Sequence, residues 1–129
     1  MKTSHLKRLG LTCAFCAAAL VAIPATSAKD GDVLVRGACT KASSSKLKLS
    51  EEDGRIEVEF EVDQNRNGVR WTVVLRRPAA VLVRTTRVTR GPSGSFELRR
   101  VVADRAGADR ITARATSPSG EVCRATAAF

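Results

Sequence analysis

Residues 55–76 read RIEVEFEVDQNRNGVRWTVVLR, and their period of two decides the fold class. Ile56, Val58, Phe60 and Val62 alternate with Glu57, Glu59, Glu61 and Asp63, the pattern of a strand with one buried and one wet face. After Gln64-Asn65-Arg66-Asn67-Gly68, Val69, Trp71, Val73 and Leu75 alternate with Arg70, Thr72, Val74 and Arg76. The spacing predicts an antiparallel hairpin, with Asn67-Gly68 supplying the positive backbone angles of a tight turn. In such a hairpin the acidic row of the first strand lies opposite Arg70 and Arg76 of the second, where cross-strand pairs neutralise charge.

The same alternation continues outward. Strands are expected at Val81–Thr89, Phe96–Val102, Ile111–Thr116 and Val122–Phe129, divided by Pro78, Gly91-Pro92-Ser93-Gly94, residues 104–109 and Ser117-Pro118-Ser119-Gly120. Each divider is turn chemistry. Weaker strand signals at Val33–Cys39 and Lys46–Ser50 flank a serine loop at 43–45. The fold class expected is all-β: an immunoglobulin- or fibronectin-like two-sheet sandwich of about seven strands. Parity puts Trp71 in its core, together with Phe60, Phe96 and Phe129.

Ahead of this domain, Lys2, Lys7 and Arg8 precede an apolar run from Leu9 to Ile23, then Pro24 and the small residues Ala25, Thr26, Ser27 and Ala28. This order reads as a signal peptide helix cut near Ala28. The run is shorter than the roughly 18 residues a membrane span needs. The expected organisation is a signal at 1–28 and a single domain at 29–129, secreted and without a stable membrane anchor. Cys13 and Cys16 fall in the signal, leaving Cys39 and Cys123, which an oxidising compartment would join as a disulfide.

Removing Lys2, Lys7 and Arg8 takes the formal charge from +9 to +6, since residues 1–28 carry no acid. The surplus is mostly arginine, as in proteins from GC-rich genomes. Arg84, Arg87 and Arg90 form the candidate basic surface, but a spacing of three flips strand parity and splits them between faces. With no recognition motif beside the charge, weak unspecific polyanion binding and no specific nucleic-acid site are expected.

Catalytic and metal chemistry find no footing. The one histidine, His5, lies in the signal, which removes histidine triads and histidine zinc sites from the mature domain. Asp63 to Gly68 opens like a calcium loop, but Val74 stands where the bidentate glutamate belongs. No catalytic residue, cofactor or metal is expected, and the chain reads as a non-enzyme.

The segments DGRIEVEFEVDQNRNGVRW at 53–71, GPSGSFELRR at 91–100 and RATSPSGEVC at 114–123 resemble small secreted actinobacterial proteins with a signal and two cysteines. That resemblance implies an extracellular module with no assigned active site. Two functions follow: a module binding an extracellular protein or cell-wall polymer, or a small enzyme inhibitor presenting a loop. The mature product should begin near Lys29, and intact mass of the culture-supernatant protein checks it; a mass that includes Met1–Ala28 refutes the signal reading.

Overall fold

The computed structural model describes residues 31–129; the signal expected at 1–28 lies outside them. Nine strands form two antiparallel sheets. In chain order they are β1 (Val33–Arg36), β2 (Ala38–Cys39), β3 (Ser44–Glu52), β4 (Arg55–Asp63), β5 (Arg70–Arg77), β6 (Ala80–Val88), β7 (Ser95–Ala103), β8 (Arg110–Thr116) and β9 (Val122–Ala128). One sheet has the order β1-β3-β4-β7, the other β2-β9-β8-β5-β6. The two-sheet sandwich agrees with the alternation in the sequence, with two more strands than expected.

The extra count comes from the N-terminus. Val33–Cys39, expected as one strand, breaks at Gly37: β1 pairs with β3 in the first sheet and β2 with β9 in the second. A Cβ at position 37 would stand 2.2 Å from Ser45 Oγ and 2.8 Å from the Arg124 carbonyl. Only glycine lets the chain pass this close while changing sheets. Ser44 and Ser45, expected in a loop, belong to β3.

The hairpin expected over 55–76 does not form. β4 pairs with β3 and β7, whereas β5 pairs with β6 and β8, so residues 64–69 cross between sheets. The crossing is anchored on the β6–β7 connection: Gln64 N donates to Gly94 O at 3.1 Å and Gly68 N to Thr89 O at 2.7 Å. The buried Thr89 hydroxyl donates to Arg66 O at 2.5 Å and accepts from Val69 N at 2.9 Å. Gly68 takes a positive φ of 79°, as does Asn65 at 57°, so the turn chemistry is present but serves a crossover. Period two reports that each strand is half-buried, and it is silent on whether the next strand lies beside it or across the core.

The acidic row therefore faces other cations than those expected. Across the first sheet Lys46 opposes Glu61 and Lys48 opposes Glu59. Lys46 Nζ lies 3.0 Å from Glu61, and Lys48 Nζ lies 3.3 Å from Asp32 and 3.7 Å from Glu59. Arg99 on β7 pairs with the buried Glu57. Hydrogen bonding to Asp32, aided by Glu59 and opposed by burial, holds the Lys48 ammonium above its ordinary pKa.

Between the sheets, Leu47, Leu49, Ile56, Val58, Phe60, Val62 and Leu98 meet Trp71, Val73, Leu75, Ile111 and the alanines of β8 and β9. Trp71 is wholly buried; its ring lies 6.1 Å from that of Phe96, tilted by 52°, and its Nε1 donates to Gln64 Oε1 at 3.1 Å. Phe129 follows β9 and is half-buried against this core. Cys39 and Cys123 oppose each other on β2 and β9 and form a disulfide with Cα atoms 4.0 Å apart. Closing a separation of 84 residues is worth up to about 4 to 5 kcal/mol on the chain-entropy account.

At one end of the sandwich Arg77 and Asp109 form a buried ion pair, Nε to Oδ1 2.9 Å. Arg77 also donates to Ala103 O, and Arg105 N donates to Asp109 Oδ2 at 2.7 Å. The Arg105 amide, then the Arg77 cation, hold the Asp109 carboxyl below its usual value against the opposing pull of burial.

Two stability outcomes follow. Trp71→Ala should lose about 3 to 5 kcal/mol, read by denaturant unfolding, and wild-type emission should be blue-shifted until the protein unfolds. Asp109 has a lowered folded pKa, so its contribution is complete above the unfolded carboxylate value near 4 and is lost as pH falls through the folded one. Asp109→Asn should lose about 3 to 5 kcal/mol at neutral pH and flatten the acid limb of the stability profile; an unchanged acid limb refutes the assignment.

Candidate anion-binding face

The two outer faces of the sandwich differ in charge. On the first sheet cations and carboxylates interleave and pair, as described above. On the second, none of the chain's 13 acidic residues lies on β2, β5, β6, β8 or β9. Burial dictates what that face carries. With Trp71, Val73 and Leu75 turned inward, β5 presents Arg70, Thr72, Val74 and Arg76. Ile111, Ala113 and Ala115 turned inward leave Arg110, Thr112, Arg114 and Thr116 on β8, and inward Cys123 and Ala125 leave Arg124 and Thr126 on β9.

Register aligns these residues across strands. Val74 pairs with Arg84 on β6 and with Arg114 on β8, and Arg114 pairs with Arg124 on β9, giving one row Arg84-Val74-Arg114-Arg124. The next row holds Arg76, Thr112 and Thr126. Adjacent strands lie about 4.8 Å apart, so arginines at Arg84, Arg114 and Arg124 span roughly three strand spacings. Arg70, Arg76, Arg84, Arg110, Arg114 and Arg124 are all exposed. Among the described residues none of these six side chains takes part in a salt bridge or hydrogen bond.

A shallow depression of about 440 Å³ lies within the rows, with Val74, only 8% exposed, among its lining residues. Its sides are Arg76, Arg84, Arg114 and Arg124, with Thr112 and Thr126. The two threonine hydroxyls lie 2.9 Å apart. One donates to the other, and the acceptor's own proton is left to donate elsewhere. Guanidinium groups beside hydroxyl donors, with no carboxylate to neutralise them, are the chemistry of oxyanion recognition.

The expected basic surface is only partly realised. Arg84 is on the face. Arg87 lies opposite Trp71, on the inward parity at the sheet edge, and donates to Thr85 Oγ1 at 3.2 Å and Thr86 O at 3.0 Å. Arg90 bridges Ser95 beyond the end of β6. Arg70 and Arg76, expected opposite the acidic row of β4, lie on the other sheet and stay unpaired, and Arg110, Arg114 and Arg124 were not anticipated, because scanning along one strand misses charge that accumulates across several. The signal available was the run of arginine and threonine at alternate positions in 110–116 and 124–126 without an intervening acid.

Elsewhere, Glu121 lies within 4.8 Å of Cys39 and Cys123. Both sulfurs are in the disulfide, and the carboxylate accepts from Ser43 N and Ser43 Oγ at 2.9 Å each, so the group acts as a loop clasp. Asp63 Oδ1, in the segment resembling a calcium loop, accepts from Asn65 N at 2.9 Å. No protein-family model matches the chain, and no curated protein matches it.

Proposed function

We propose that this is a secreted, non-catalytic module of the immunoglobulin and fibronectin class that binds an anionic polymer of the cell envelope through the outer face of its second sheet. The observation carrying this reading is the six exposed, unpaired arginines on a sheet without a single acid. Such a face attracts polyanions by counterion release, with affinity that depends on salt. Strand order supports the fold assignment. Without β1 and β2 the sandwich is β3-β4-β7 on β9-β8-β5-β6, with crossings from β4 to β5, β6 to β7 and β7 to β8, a Greek-key arrangement of that class. Export is supported by the signal pattern and by a disulfide that oxidising conditions preserve. The inhibitor reading is weaker, because the disulfide lies between β2 and β9 and braces no protruding loop.

Binding to heparin measured against salt tests the proposal. The triple variant Arg84→Ala, Arg114→Ala, Arg124→Ala should lower the log–log salt slope by about two to three, near 0.7 to 0.9 per lost contact. Arg36→Ala, Arg55→Ala, Arg105→Ala, which removes the same charge away from this face, should leave the slope nearly unchanged. Equal losses in both triples, or no binding by wild type at low salt, would refute the assignment.

A further inference from the structure

Resting on the reading of this face as an anion-binding surface, we infer that it holds one defined seat, the depression over Val74, and that the seat takes a terminal phosphate group of the polymer.

The seat arises from a break in the arginine row. Arg84 and Arg114 flank position 74 on the neighbouring strands, and Arg76 stands two residues along the same strand. Side chains at those positions start about 5 to 7 Å from the Val74 backbone. Valine is short and almost fully covered, so the three guanidinium groups surround a hollow where a fourth long side chain would have filled it. The alkyl stems of arginines pack along such apolar floors while their heads stay at the surface.

The chemistry of the rim selects the occupant. Arginines arriving from three strands approach a central anion from different directions. A tetrahedral oxyanion offers oxygens along several of those directions, whereas a carboxylate accepts best within its own plane. The Thr112 and Thr126 pair adds a hydroxyl donor on one side. Four arginines line the hollow with no acid among them. A phosphate, with about −1.5 to −2 charge when terminal, offsets that field better than a singly charged sulfate ester. Every basic residue on this face is arginine; Lys46 and Lys48 are on the other sheet, paired with carboxylates. Arg70 and Arg110 share the face but stand outside the hollow, so they add to its field without lining the seat.

The test is isothermal titration with tripolyphosphate at low and moderate salt, using wild type and charge-preserving variants. Arg76→Lys, Arg84→Lys and Arg114→Lys should each weaken binding by about tenfold, because lysine keeps the charge and loses the planar fork. Arg36→Lys and Arg55→Lys, on the first sheet, should stay within about twofold, because neither side chain belongs to the face. Wild type should bind short polyglutamate about tenfold more weakly than tripolyphosphate. If the lysine variants bind as wild type does and polyglutamate competes equally, the seat is refuted and the face acts by diffuse charge alone. Heparin oligosaccharides that bind as tightly as tripolyphosphate, with the same lysine sensitivity, would refute the choice of phosphate over sulfate. Absence of binding to any of the three polyanions by wild type at low salt would refute the face itself.

Discussion

The burial of Trp71 between the two sheets is the contact on which the rest of the molecule turns. Phe96 reaches it from the opposite sheet, and its own strand continues inward at Val73 and Leu75. The neighbouring strands accommodate this bulk with small residues, Ala113 and Ala115 on β8, Ala125 and Ala127 on β9. Large side chains facing small ones let two layers interdigitate without voids. Because side chains alternate between faces, fixing these residues inward also fixes Arg70, Arg76, Arg114 and Arg124 outward. A slip of one residue would turn arginines into the core. The core and the proposed anion-binding face are thus two consequences of one register.

That register is held from both ends of β8 and β9. At one end Asp109 N and Phe129 N each donate to the other's carbonyl at 3.0 Å, and the Asp109 side chain is locked by Arg77. At the other, Ser117 N donates to Glu121 O at 2.9 Å, Glu121 gathers Ser43, and Cys123 is bonded to Cys39. Arg110 begins immediately after Asp109, and Arg124 follows Cys123. The arginine rows are therefore set by a buried ion pair on one side and a covalent bond on the other, both stiffer than surface contacts.

Much of the sandwich was legible because alternation survives at nearly every strand: Ile56 to Val62, Trp71 to Leu75 and Ile111 to Ala115 all bury the residues their parity indicates. Partner choice was not legible. The Asn67-Gly68 turn suggested adjacency, but the Thr89 hydroxyl and Gly94 carbonyl that receive the crossing lie more than twenty residues downstream. The switch at Gly37 was hidden for a similar reason, since its need for glycine comes from Ser45 and Arg124, which are remote in the chain. The candidate site suffered most. Its defining rows exist only after β5, β6, β8 and β9 are placed side by side, and no single strand of them holds more than two outward arginines.

A bias towards arginine along the whole chain would account for these cations being arginine and would not account for where the acids went. Such a bias acts on every segment alike, yet Glu57, Glu59, Glu61, Asp63 and Glu97 all lie on the first sheet, beside Lys46, Lys48 and Arg99. There, opposite charges at adjacent positions offset one another, each pair contributing a few tenths of a kcal/mol to about 1 kcal/mol. The second sheet forgoes this. Placing Arg114 directly opposite Arg124 sets like charges side by side, which disfavours the pairing. Replacing either by glutamate would relieve it at no cost to the core, since both side chains are exposed. Folding alone therefore gives no reason for the arrangement, and the proposed anion would supply one, because on this face it would convert the repulsion between neighbouring guanidinium groups into shared attraction.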